Sequence, residues 1–219
     1  MKKILRIILL ILLCLFNCTY DFTIGQWEEG IIPYYLSGEF SESDLEDIAM
    51  AMETWESACG VKFEKVTPRS GAYGIIRVSQ NKWFSTIGEN NSFCYMHYNG
   101  YYNNEEYNKL EAITHELGHC LGLLHEHQRP DRDAYVTIVW DKVMPSHDYD
   151  FDIMDNPLYE EQHFEYDYDS IMHYPSISFS IDGSETIVAR DGTTLCQTSG
   201  ITEIDVQKAQ AIYGPPLEE

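Results

Sequence analysis

The stretch His115-Glu116-Leu117-Gly118-His119-Cys120-Leu121-Gly122-Leu123-Leu124-His125 decides how the rest of the chain is read. It closes a segment of helical character, 105–121, so His115 and His119, four residues apart, fall on one helix face about one turn from each other. Two imidazoles so placed can share a zinc ion. Glu116 follows the first histidine directly, and its carboxylate can reach a water held by the same metal without being a ligand, which is the position a general base needs. His125 stands six residues beyond His119, and at about 100° per residue a continuing helix would turn it well away from the pair. The helix must therefore end between them. Gly122 permits this, because a left-handed backbone costs glycine little and folds the chain back to aim His125 at the metal. Three neutral nitrogen ligands leave a coordination position open, which marks a catalytic zinc and not a closed structural one.

Around this stretch lie 219 residues, 44% hydrophobic and 13% aromatic, enough for one packed domain. With 36 acidic against 14 basic side chains the formal charge is −22, so the protein would repel phosphate backbones, and nucleic acid is excluded as a partner. Lys2, Lys3 and Arg6 stand in an N-terminal segment without acids and precede an apolar run over 7–16. That run has signal-peptide length and falls short of the ~20 residues that span a bilayer. Leu15-Phe16-Asn17-Cys18 then resembles a relaxed lipoprotein box. The expectation is a signal peptide over 1–17, an anchor segment over 18–26 with possible membrane attachment through an acylated Cys18, and a catalytic domain over 27–219 whose halves divide near 125. The competing reading is a secreted protein cut near Cys18 or Thr19. Either way the location is secreted or at the cell surface, as an outer-membrane lipoprotein in the anchored case.

Apolar residues Leu45, Ile48, Ala49, Met52 and Trp55 recur at helical spacing over 43–59, with Ser43 and Glu46 as a capping box and Gly60 as the stop. Short β-like runs follow at 61–66, 74–79 and 92–98. The stretch 148–169 is dense in Asp, Glu and Tyr without periodicity and reads as a solvated acidic face whose field favours cationic substrates. A last short helix has Thr202 as cap, Ile201 and Val206 as a staple, and Gly214-Pro215-Pro216 as its end. This pattern is α+β. Cys59, Cys94, Cys120 and Cys196 remain after export and allow three pairings, with Cys120 expected as a buried thiol. His97, His127, His147, His163 and His173 add no ligand spacing, and surface or hydrogen-bonded roles are expected for them.

The histidine stretch continues into Glu126 and is followed by Ser170-Ile171-Met172-His173-Tyr174; in this order the two motifs resemble the astacin family of metzincin zinc endopeptidases. The resemblance runs from about Trp27, where Gly30-Ile31-Ile32-Pro33-Tyr34 is similar to the start of the mature domain, to Tyr213. It implies a zincin-like fold: a twisted mixed sheet with two long helices in the N-terminal half, a mostly irregular C-terminal half with a short helix, and an active-site cleft between. It also implies one zinc held by His115, His119 and His125, Glu116 as general base and acid, and Met172 in a turn under the metal. Tyr174 would be a further, displaceable ligand that helps stabilise the oxyanion. The implied substrate is a polypeptide lying along an edge strand, for which 92–98 is the candidate; a monomer is expected.

Several residues depart from the family pattern. Thr19 to Gln26 is too short for the usual latency propeptide, and an acylated N-terminus could not be buried beside Glu126, as the free N-terminus of matured members is. Cys59 occupies an expected disulfide position, but Lys82 stands where the family often has another cysteine, and Tyr213-Gly214-Pro215-Pro216 lacks the customary terminal one. Thr198 replaces an arginine that favours acidic residues after the cut. A surface binding lipoprotein that keeps zinc for stability would share the ligands but has no use for Glu116 and Tyr174. A zinc amidase acting on cell-wall peptides would share the chemistry and differ in substrate.

Overall fold

The computed structural model describes residues 25–67, 75–79, 84–85, 93–97, 109–155, 164–195 and 200–217. The expected export signal and Cys18 anchor lie outside the described residues, as do 101–108, His163, Cys196 and Thr198. Strands β1 (Ile31–Ser37), β2 (Lys62–Lys65), β3 (Ile75–Ser79), β4 (Phe84–Ser85) and β5 (Phe93–His97) form one sheet in the order β2-β1-β3-β5-β4. The β1–β2, β1–β3 and β3–β5 pairs are parallel, and β4 runs antiparallel to β5 with Ser85 opposite Met96. The expected edge strand is therefore corrected: among the described residues β5 lies inside the sheet, and the short β4 is the edge on that side, with β2 at the other. A two-residue strand carries too little alternation to be legible in sequence.

Helix α1 (Glu42–Ala58) is the crossover between β1 and β2, as parallel neighbours require. Its capping box is Ser41 with Asp44, not Ser43 with Glu46: Ser41 Oγ accepts from Asp44 N at 3.1 Å and Ser41 N donates to Asp44 Oδ2 at 2.9 Å. Ser43 instead accepts from Lys109 Nζ at 3.0 Å, an ammonium that also meets Asp44 and Asp47. The buried stripe consists of Ile48, Ala51, Met52, Trp55 and Ala58, with Leu45 exposed. Helix α2 (Lys109–Cys120) packs on α1, with Trp55 Nε1 donating to Thr114 O at 2.9 Å. Helix α3 (Glu203–Tyr213) has the expected Thr202 cap, completed by Asp205, and ends at Gly214.

Helix ends leave carbonyls unsatisfied. Here distant side chains supply the donors: Gln210 Nε2 to Ala58 O at 2.7 Å, Trp27 Nε1 to Cys120 O at 2.8 Å and Tyr213 OH to Leu121 O at 3.0 Å. These contacts draw α1, α2 and α3 around one core that includes Ile32, Trp55, Ile113, Leu117, Leu121 and Met172. A second core, Val136, Ile138, Phe151, Tyr166, Ile187 and Leu195, forms around the antiparallel pair β6 (Val136–Ile138) and β7 (Ile187–Ala189). Much of that half is short 3-10 turns such as Glu126–Gln128 and Pro145–Phe151. The acidic stretch is not wholly a solvated face, since Phe151 and Tyr166 anchor it in the second core. Cys59 and Cys120 are buried thiols, and burial pushes Cys59 up to about 12. Among the described residues no helix is long and apolar enough to cross a membrane.

Candidate metal centre

Helix α2 stops where Gly122 takes φ 100°. Gly122 N donates to His119 O at 2.8 Å and Leu123 N to Gly118 O at 3.0 Å, the paired bonds of a Schellman end. The chain leaves it extended at His125. This reversal brings the three expected ligands together: His125 Nε2 lies 3.2 Å from His115 Nε2 and 3.0 Å from His119 Nε2, and one ligand atom of each lies within 4.8 Å of the others. Tetrahedral Zn–N bonds of about 2.0–2.1 Å would set such nitrogens about 3.3 Å apart. The donor set fits zinc.

The opposite ring nitrogens fix the tautomers. His115 Nδ1 bonds Ile171 O at 2.6 Å, His119 Nδ1 bonds Leu123 O at 2.8 Å, and His125 Nδ1 bonds Gln128 Oε1 at 2.9 Å. Carbonyl oxygens only accept, so each Nδ1 carries the proton and each Nε2 lone pair faces the common centre. Burial lowers His115 to about 4 and His119 to about 3, and holds His125 well below its ordinary value, with the neighbouring rings adding to the last two. All three are neutral at pH 7, as metal binding requires. Next to His115 in the chain, Glu116 is buried, its Oε2 has no hydrogen-bond partner among the described residues, and burial pushes its pKa up to about 8.

These shifts set a pH dependence for the metal-stripped protein. Unfolded histidines protonate near 6.5, whereas the folded triad resists until about 4 at His115 and about 3 at His119, so stability is lost as pH falls from 6.5. Glu116 acts oppositely: its stability contribution, full below 4.5, is lost as pH rises through about 8. Thermal melts in chelator should therefore peak at about pH 6 to 7 and fall on both sides. A melting temperature that rises steadily from pH 7 to 9 would contradict this electrostatic reading.

Tyr174 lies against two rings, 4.3 Å from His125 and stacked at 4.2 Å and 27° on His127. Burial raises its pKa, so its hydroxyl keeps a proton to donate at neutral pH. Met172 is buried below α2, with its carbonyl accepting from Glu126 N at 3.0 Å. A Cβ at Gly118 would come 2.6 Å from Met172 Sδ. Alanine for glycine in mid-helix ordinarily stabilises by about 1 kcal/mol. Here Gly118→Ala should instead destabilise by about 1–3 kcal/mol through overpacking, read by denaturant titration.

Of the surface or hydrogen-bonded roles expected, His127 and His173 take the second, inside the protein. His127 is fully buried, bonds Asp150 O through Nε2 at 3.0 Å and leaves Nδ1 without a partner among the described residues. His173 is buried between Tyr166 OH and Tyr174 O. Sequence reasoning also misses Gln128, Asp205 and Lys208. A polar side chain three residues past a ligand is the signal for Gln128; Asp205 and Lys208, charges on a short helix, offer none. Glu126, which the family resemblance set beside a free N-terminus as the alternative to an acyl anchor, has both oxygens engaged by other residues, with Lys208 Nζ at 2.5 Å and with Arg129 at 2.8 Å and Asp167 N at 3.0 Å.

The signature of the Astacin peptidase family matches residues 20–214. The chain belongs to the astacin family. Among astacin relatives, zinc metalloproteinase nas-6 of Caenorhabditis elegans is 30% identical over 199 residues, which cover 85% of this chain and 53% of that protein. The astacin-like metalloendopeptidase of Gallus gallus is 34% identical over 205 residues, 90% of this chain and 46% of that protein. The chain thus spans about half the length of these curated relatives. The solved structure of high choriolytic enzyme 1, a hatching enzyme zinc-protease from the medaka Oryzias latipes, superposes with a TM-score of 0.76 at 27% identity, covering 89% of this chain and 96% of that one. The α+β astacin fold, with its sheet and long helices before the Gly122 reversal and its irregular half after it, is therefore established on both sequence and shape.

Proposed function

We propose that the protein is a zinc-dependent endopeptidase that hydrolyses peptide bonds in polypeptides. His115, His119 and His125 hold the metal, Tyr174 is a further displaceable ligand, and Glu116 serves as general base and then acid. The observation that carries this reading is the convergence of three neutral imidazole nitrogens, two of them on the helix that also carries a buried carboxylate oxygen with no hydrogen-bond partner among the described residues. Zinc, when bound, supplies Lewis acidity, which lowers the pKa of water toward about 7 and polarises the scissile carbonyl. Glu116 Oε2 takes the proton of the attacking water as its oxygen bonds to the carbonyl carbon. The carboxyl then passes that proton to the leaving nitrogen as the C–N bond breaks, giving a carboxylate and an amine. The Tyr174 hydroxyl donates to the oxyanion that forms in between. Burial makes Glu116 a stronger base than an exposed glutamate, and a nearby dication draws it back into the ionised form.

The extended substrate pairs with the sheet edge at β4, and the net charge of −22 favours substrates rich in lysine and arginine. Export carries the domain to the outside, either secreted or held by an acyl chain on Cys18; mass spectrometry of the mature N-terminus separates the two, because an unacylated end beyond Cys18 removes the anchor. The catalytic reading is tested by digestion of an unfolded protein such as casein with and without chelator. Cleavage that stops with chelator and returns with zinc is expected. Cleavage indifferent to chelator, or none in the zinc-loaded protein, would refute the reading.

A further inference from the structure

Helix α3 reaches the metal centre through two charged side chains buried on one face. Asp205 Oδ1 accepts from Ser170 Oγ at 2.5 Å, and Asp205 Oδ2 accepts from Ile171 N at 2.9 Å. Ser170 Oγ in turn accepts from Met172 N at 3.0 Å, and Ile171 O is the acceptor that orients the His115 ring. One turn along the helix, Lys208 Nζ donates to Glu126 Oε2. Glu126 follows His125 in the chain, and its N–H donates back to Met172 O. Thus α3, the turn at Ser170, Ile171 and Met172, and the segment His125-Glu126 close a triangle of hydrogen bonds around two of the three imidazoles.

Asp205 and Glu126 are fully buried and Lys208 is 1% exposed. Taking such charges out of water is costly, and a buried ion pair is often no more stabilising than apolar side chains of the same size. Stability alone therefore does not account for the cluster, whereas fixed directional bonds do set geometry. We infer that Asp205 and Lys208 are positioning residues of the metal centre: docking of α3 locks the His125 segment against the Met172 turn, so that the three Nε2 atoms converge before the metal arrives. This rests on the zinc-site reading above.

The test compares three variants of the full chain. Lys208→Met keeps the stem and removes the charge. Ser170→Ala removes one hydroxyl from the Asp205 arm. Gln210→Ala, on the same helix, removes the bond to Ala58 and leaves both arms intact. Zinc affinity is measured by competition with a chromophoric chelator, beside melts of the metal-free forms. Lys208→Met and Ser170→Ala should weaken zinc binding about 10–100-fold, the usual effect of losing a partner behind a ligand. Gln210→Ala should lower the metal-free melting temperature with little change in zinc affinity. Zinc affinity unchanged in both arm variants overturns the inference, as does an equal loss in Gln210→Ala. If Lys208→Met does not fold, Ser170→Ala decides alone. A parent chain that binds no zinc overturns instead the site reading beneath the inference.

Discussion

Glu116→Gln is expected to lower kcat by about a hundred- to ten-thousandfold while leaving zinc content at one per chain. The amide has the shape of the carboxyl and fits the same buried slot, so the ligands should not move. What it loses is the ability to take a proton at Oε2, the atom that has no partner among the described residues. A carboxyl at that position is costly to bury, and the same burial that pushes its pKa up to about 8 suits it to exchange a proton with a bound water. Turnover of a quenched fluorescent peptide and metal analysis on the same sample give both readouts. Near-parental turnover would remove Glu116 from the proposed mechanism, and loss of zinc would recast it as a structural support of the site.

Tyr174→Phe carries the second largest expected effect, a drop of about 10²–10³ in kcat with KM and zinc affinity changed far less. The ring should stay in place, because phenylalanine keeps the stack on His127 and the contact with His125. The hydroxyl alone is removed, and with it the donor proposed for the oxyanion. A loss confined to KM would instead assign the tyrosine to substrate binding.

The line between what is legible in sequence and what is not follows the range of the interactions. The triad, Glu116 and the reversal at Gly122 can be read because helical periodicity and one glycine fix them within eleven residues. The Thr202 cap can be read for the same reason. Ser43 misleads because two serines two apart offer two helix starts, each with an acid three residues on, and Asp44 completes the box at Ser41 while Ser43 bonds Lys109. The acceptors behind the histidines are invisible, since Ile171 O is a backbone atom 56 positions from His115 and backbone carries no residue type. Lys208 and Asp205 look like ordinary surface charges of a short helix until the fold turns that face inward. His127 gives no signal because a further histidine near a complete ligand set has no spacing of its own, and its role as the surface under Tyr174 exists only after the second core has formed.

X-ray absorption at the zinc edge, on protein whose metal content has been counted, tests the central claim most directly. The account predicts one zinc per chain with three imidazole nitrogens at about 2.0–2.1 Å and an oxygen completing the shell. A chain purified in the presence of zinc that keeps no stoichiometric metal, or a shell with fewer than three imidazoles, would contradict it.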